Sequence, residues 1–133
     1  MIRIHNSKGL QQQIEIGSHQ LLGDVSPELG GDGVGPDPHD LFDASLGTCK
    51  AMTLLLYARQ RGLPLEGIDV SVERDDREER QGNYRLIVEL SLKGPLDDAQ
   101  RQQLLRVADK CPIHKLMTTT DIQVQTRLAG AQA

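Results

Sequence analysis

Two thiols are the residues in this chain whose settings most suggest covalent chemistry. Cys49 lies inside an apolar, helix-forming run, DLFDASLGTCKAMTLLLYA, and Cys111 lies at a joint between helical segments, ADKCPIHKLM. Their spacing makes neither a CxxC redox motif nor a CxxC zinc knuckle. With one Phe, two Tyr and no Trp, the chain has little reason to place a thiol at a joint for packing alone. Two thiols that meet in the fold support disulfide redox chemistry. Two that do not meet are small apolar side chains, which is how buried free cysteines usually behave.

The residues around each thiol differ in what they offer. Cys111 precedes Pro112 at the start of a short helical segment, where unpaired amides favour a thiolate, and Lys110, His114 and Lys115 push the same way. The competing reading is that Cys111 only caps or packs. Cys49 sits in a helix interior without help from the dipole, so its reactivity needs an outside cation and an opening in the core. Lys50 beside it must snorkel, pair, or face such an opening. His39 lies nearly three helical turns before Cys49 and reaches that thiol only if another segment closes the space. Cys49, Cys111, His39 and His114 together have the donor types of a zinc site, but no pair has ligand spacing, and no metal is expected. The glycine-rich loop lacks the GxxxxGK[ST] pattern of a phosphate loop.

The elements that must position these groups follow from periodicity and punctuation. Within the first 25 residues, Ile14, Ile16, Leu21 and Leu22 around Gly17-Ser18 predict a β-hairpin. The stretch SPELGGDGVGPDP has Gly or Pro at seven of thirteen positions, a loop with several special backbone angles. It ends in a helix start, with Asp37 as N-cap, Pro38 at the first helical position and Asp40 in the first turn. From Leu41 to Tyr57 apolar residues cover most of the helical circumference, which predicts a helix buried on nearly every side. Arg59, Gln60, Arg61 and Gly62 supply its C-terminal signals. Ile68, Val70 and Val72, then Tyr84, Leu86, Val88, Leu90 and Leu92, alternate as paired strands around the charged turn ERDDREERQGN. A second helix starts near Asp97 and ends near Lys110, a short one follows Pro112, and Ile122, Val124 and Thr126 predict a final strand before a frayed tail, LAGAQA. This order gives an α+β fold with a mostly antiparallel sheet, in one domain spanning residues 1–133.

Composition bounds the partners. The chain is 38% hydrophobic and 26% charged with a net charge of −4. Its fifteen Lys and Arg form no basic block, which speaks against nucleic acid. No apolar stretch approaches the roughly 20 residues that span a bilayer, and MIRIHNSKGLQQQ has no apolar signal core. A reducing, cytoplasmic setting is expected, in which two cysteines are more often catalytic, redox-active or inert than a permanent staple.

The blocks ELGGDGVGPDPHDLFDASLGTC49KAMTL and LKGPLDDAQRQQLLRVADKC111PIH closely resemble the OsmC/Ohr superfamily of thiol peroxidases, from about Leu21 to the end of the predicted strands. The resemblance implies antiparallel sheets with long central helices in an intertwined homodimer. It implies that Cys49 is the peroxidatic thiolate and Cys111 its resolving partner. A small hydrophobic hydroperoxide would be the substrate and an external dithiol, lipoyl-type in the best-known members, the reductant, with no bound cofactor. Members also carry an Arg from the N-terminal hairpin, paired with the reactive thiolate and held by a Glu at the start of the central helix. Here those positions fall near Lys8 and on His39, with Asp40 or Asp37 as substitute carboxylates and His114 as a further pocket partner. Lys lacks the guanidinium's planar fork. The chain is closest to the subgroup with GPxP before the central helix and LGxCxAMT within it. A second reading is a binding protein for an apolar small molecule on the same scaffold.

Overall fold

The computed structural model describes residues 1–130; the last three residues of the predicted frayed tail lie outside the described residues. The chain forms two compact units, Met1–Gly47 with Ser71–Glu89, and Thr48–Val70 with the chain from Leu90 onward.

The first unit holds an antiparallel sheet of β1 (Ile2–Lys8), β2 (Gln11–Ile16) and β3 (His19–Gly23), in the order β1-β2-β3. The predicted hairpin is β2–β3, with Ile14 opposite Leu21 and Ile16 opposite His19. The sequence reading left out β1, whose Ile4 pairs with Ile14; all seven of its residues are exposed, so no buried face marks it in the sequence. After a 3-10 turn at Pro27–Leu29, the glycine-rich loop is organised by one buried carboxylate. Asp24 accepts hydrogen bonds from the N–H groups of Val25 (2.8 Å), Asp32 (3.1 Å) and Val34 (3.2 Å). Burial alone would raise its pKa, but these amides together hold it below the ordinary carboxylate value. Gly31 is required by close approach, since a Cβ there would overlap the Val25 carbonyl and Asp24.

Helix α1 (Pro38–Arg61) starts where the sequence places it. Asp37 accepts from the Asp40 N–H at 2.8 Å and Asp40 returns the bond to the Asp37 N–H at 3.1 Å, a reciprocal cap. It stops at Gly62 (φ 67°), with the Leu63 N–H donating to Ala58 O at 2.9 Å. Burial along it is one-sided, which corrects the expectation of burial nearly all round. Asp43, Leu46, Gly47, Lys50, Leu54 and Ala58 are buried at helical spacing, whereas Met52 and Leu56 are 60% and 55% exposed.

β4 (Gly67–Asp75) and β5 (Arg85–Lys93) pair as expected, joined through a 3-10 turn at Glu79–Gln81. In the second unit, Leu54 and Ala58 of α1 pack with Leu96 and with Leu104, Val107 and Ala108 of α2 (Asp98–Ala108). A capping box between Asp97 and Gln100 opens α2, and α3 (Pro112–Thr118) follows at once. The predicted final strand is not formed. Ile122 and Val124 are 61% and 83% exposed, and no strand pairs with that segment among the described residues. Alternation marks a strand-competent face, but a strand also needs a neighbour's N–H and C=O groups.

Leu54 is fully buried at the centre of this cluster, so Leu54→Ala is expected to lower unfolding free energy by about 2–5 kcal/mol. Gly31→Ala, which must push the Val25 carbonyl aside, is expected to lower it by about 1–3 kcal/mol. Urea unfolding followed by circular dichroism measures both.

Candidate functional site

The second unit brings the two cysteines together. Cys49 faces the core from α1, half-buried, with Thr53 Oγ1 4.0 Å from its sulfur. Cys111 is fully buried and caps α3, its sulfur accepting the His114 N–H at 3.3 Å. The Cys49 side chain neighbours the Cys111 thiol and helps to raise its pKa, and both cysteines are free.

Lys50 joins the two segments. Its side chain is 4% exposed, and its Nζ donates to Ala108 O at 2.8 Å, to His114 Nδ1 at 3.0 Å and to Asp109 Oδ1 at 3.4 Å. An ammonium has three N–H donors, and each finds an acceptor on the stretch from 108 to 114. A donating Lys50 leaves His114 Nδ1 as acceptor, so the neutral imidazole carries its proton on Nε2, an assignment made from the hydrogen-bond network. The sequence leaves Lys50 open as a residue that must snorkel, pair, or face an opening, and the structure shows it paired. Its apolar neighbours gave no hint that its acceptors lie some sixty positions on.

The electrostatics of Cys111 go against the thiolate-favouring reading of its sequence and with the capping one. Burial pushes its thiol up, and the neighbouring Cys49 adds to the rise. The His114 amide and the Lys50 charge pull against it, but the net direction is upward. The dipole argument fails here because α3 has only seven residues and the His114 amide reaches a sulfur with no access to water.

The other candidate residues belong to the first unit. His39 Nε2 meets the Glu79 carboxylate at 2.9 and 3.1 Å, so a carboxylate does accompany this position, supplied from the charged turn. Asp40 accepts from Arg74 Nη2. Asp43, which is buried, accepts from Arg74 Nε at 2.6 Å and from the Tyr84 hydroxyl at 2.7 Å. Arg74 is held strongly protonated by its bonds to Asp40 and Asp43. Asp40 is held low, first by the Asp37 amide and then by Arg74. Burial, then the bond to Asp43, pushes Tyr84 up to about 12. The Tyr84 ring centre lies 5.9 Å from those of His39, which is tilted to it, and Phe42, which meets it edge-on, and with Pro38 and Glu79 these rings line a cavity of about 340 Å³. Lys8 is exposed at the end of β1, opposite Gln11, and forms no ion pair among the described residues. Arg74 and Glu79 are not singled out by the sequence because a charged run of that composition ordinarily marks a solvated turn, and Asp43 and Tyr84 because their partners lie far away in the chain. Among the described residues, no group of three or more His, Cys, Asp or Glu is placed to hold a metal ion. No helix is long and apolar enough to cross a membrane.

Comparison with known proteins agrees with this architecture. No curated protein matches the chain. An OsmC-like protein from Mycoplasma pneumoniae superposes with a TM-score of 0.75 at 15% identity, over 90% of this chain and 86% of that one. The organic hydroperoxide resistance protein OsmC of Legionella pneumophila gives 0.65 at 20% identity, over 90% and 88%. The organic hydroperoxide resistance protein OhrB of Bacillus subtilis gives 0.59 at 22% identity, over 90% and 91%. At these identities the superpositions speak for the fold. The profile of the OsmC-like protein family matches residues 30–127, a stretch that contains both cysteines, Lys50 and His114, and the chain belongs to that family.

Proposed function

We propose that the chain is a thiol peroxidase that reduces organic hydroperoxides, with Cys49 as the attacking sulfur and Cys111 as its resolving partner. The observation that carries this reading is the adjacency of two free thiols from distant parts of the sequence, one half-exposed and one sealed in the core. The Cys49 thiolate attacks the distal peroxide oxygen. The O–O bond breaks, the alcohol leaves with a proton, and Cys49 becomes a sulfenic acid. The Cys111 thiolate then attacks the oxidised sulfur, the S–O bond breaks as the S–S bond forms, and water leaves. An external dithiol, lipoyl-type by family likeness, reopens the bridge by two exchange steps and is itself oxidised to a disulfide. The reaction needs no bound cofactor and suits a reducing, cytoplasmic setting.

The working form on this reading is a homodimer. Met52, Leu55 and Leu56 leave an apolar stripe on α1 that is 60%, 37% and 55% exposed, the kind of surface that marks an interface.

A second reading is favoured by one observation in the first unit. A cavity of about 330 Å³ is lined mainly by apolar groups, among them Ile4, Leu10, Ile14, Val25, Pro36 and Leu41. A space of that size and lining fits a small apolar ligand, and such a protein would bind without turning over peroxide.

Purified protein given cumene hydroperoxide and a dithiol is expected to consume the peroxide. Cys49→Ser should abolish consumption, and Cys111→Ser should leave a sulfenic acid that a carbon-acid probe traps. Equal consumption by wild type and Cys49→Ser would refute the enzyme reading, and tight binding of an apolar probe without turnover would favour the second. Leu56→Glu is expected to shift the protein from dimer to monomer in sedimentation velocity; an unchanged sedimentation coefficient would refute the role assigned to that stripe.

A further inference from the structure

Of the three buried charged residues Asp24, Asp43 and Lys50, none used by the proposed reaction, only Lys50 adjoins one of its thiols. Lys50 adjoins Cys49 in the chain, yet all its donors go to the segment that carries Cys111: the last carbonyl of α2, the side chain of Asp109 in the turn, and the ring of His114 on α3. A cation so enclosed is costly unless fully paired. It fixes the turn against α1 at the residue next to the first thiol. The titratable groups around Cys111 include Cys49 and Lys50 from α1, Asp109 and the exposed Lys110 from the turn, and His114 and the exposed Lys115 from α3.

We propose that Lys50 is the positioning residue for disulfide closure, holding the 108–114 turn so that Cys111 reaches Cys49 and supplying the positive charge under which Cys111 attacks as a thiolate. The inference rests on the two-thiol reading above and adds the residue that governs its second half. It assigns a direction to each charge. Without Lys50, Cys111 ionises at higher pH and its segment is untethered, so closure slows and its pH midpoint rises. Without the Asp109 carboxylate, which partly offsets Lys50 from the solvent side (74% exposed), the cation acts more strongly and the midpoint falls. A residue that merely supported the fold would not give opposite shifts for the two replacements.

Two assays separate this inference from the peroxidase reading. In the first, reduced protein receives one equivalent of cumene hydroperoxide, and intact mass follows the ratio of trapped sulfenic acid to disulfide across pH. In the second, an aromatic disulfide reagent caps Cys49, and release of a further thiolate reports attack by Cys111 on that mixed disulfide, with no peroxide involved. In both, Lys50→Met is expected to raise the closure midpoint by about one pH unit and slow closure about tenfold at neutral pH. Lys50→Arg should restore most of the rate, and Asp109→Asn should lower the midpoint by a few tenths of a unit. Identical midpoints for wild type, Lys50→Met and Asp109→Asn in the reagent assay would overturn the inference. If Lys50→Met does not fold by circular dichroism, the exposed Asp109 decides alone: a lowered midpoint supports the inference and an unchanged one overturns it. Shifted midpoints in the reagent assay, with no oxidation by peroxide, would leave Lys50 its role and refute the peroxidase reading instead.

Discussion

The second unit depends on one buried ammonium. An ion taken out of water is penalised by several kcal/mol unless its hydrogen-bonding capacity is met. The three acceptors that meet it here come from the end of α2, the turn after it and the start of α3. That turn has no apolar residue of its own able to weld it to α1, because Asp109 and Lys110 are exposed. Leu104, Val107 and Ala108 pack the end of α2 against Leu54 and Ala58, and Lys50 extends the contact past the point where apolar residues run out. The fully buried Cys111 follows directly. Its position is therefore set from both sides, by a core cluster before it and a fixed charge beside it.

The two units handle their buried charges in different ways, each suited to the cation used. Arg74 offers a planar fork, and it is met by two carboxylates one helical turn apart, Asp40 and Asp43. Asp43 in turn fixes the Tyr84 hydroxyl. That arrangement braces the first turns of α1 against the strands β4 and β5 within the first unit. Lys50 has no fork and meets three acceptors of different kinds, a carbonyl, a carboxylate and an imidazole, through rotatable donors. The Arg and Glu that the family resemblance placed near Lys8 and at His39 are not reproduced by those residues. A guanidinium held by carboxylates does exist in the first unit, built from Arg74, Asp40 and Asp43.

Local signals were legible in the sequence, and long-range ones were not. Asp37 and Pro38 announced the start of α1 because a cap is made by neighbours in the chain. Pro112 announced α3 with Cys111 at its cap for the same reason. The alternation of β4 and β5 was readable because one face of each is partly buried. β1 escaped notice because it is exposed throughout, and Ile122 to Thr126 gave a false strand because alternation says nothing of a pairing edge. The composition of α1 suggested burial all round, whereas a single stripe is buried and it includes Asp43 and Lys50. These two charged residues could not be assigned from the sequence, since the partners that make burial tolerable stand thirty to sixty positions away.

The raised thiol of Cys111 has a consequence for the order of events in the proposed reaction. A resolving thiol that ionised freely would compete with Cys49 for oxidant and add negative charge beside the sulfur that must attack first. Burial prevents this, and the presence of Cys49 itself reinforces the effect. Once Cys49 has become a neutral sulfenic acid, its thiolate charge is gone, while Lys50 and the His114 amide still favour the ionised form of Cys111. Oxidation of the first sulfur thus removes one of the influences that keep the second protonated. In the proposed reaction the pair is thus biased to react in sequence, through charges already present in the reduced fold.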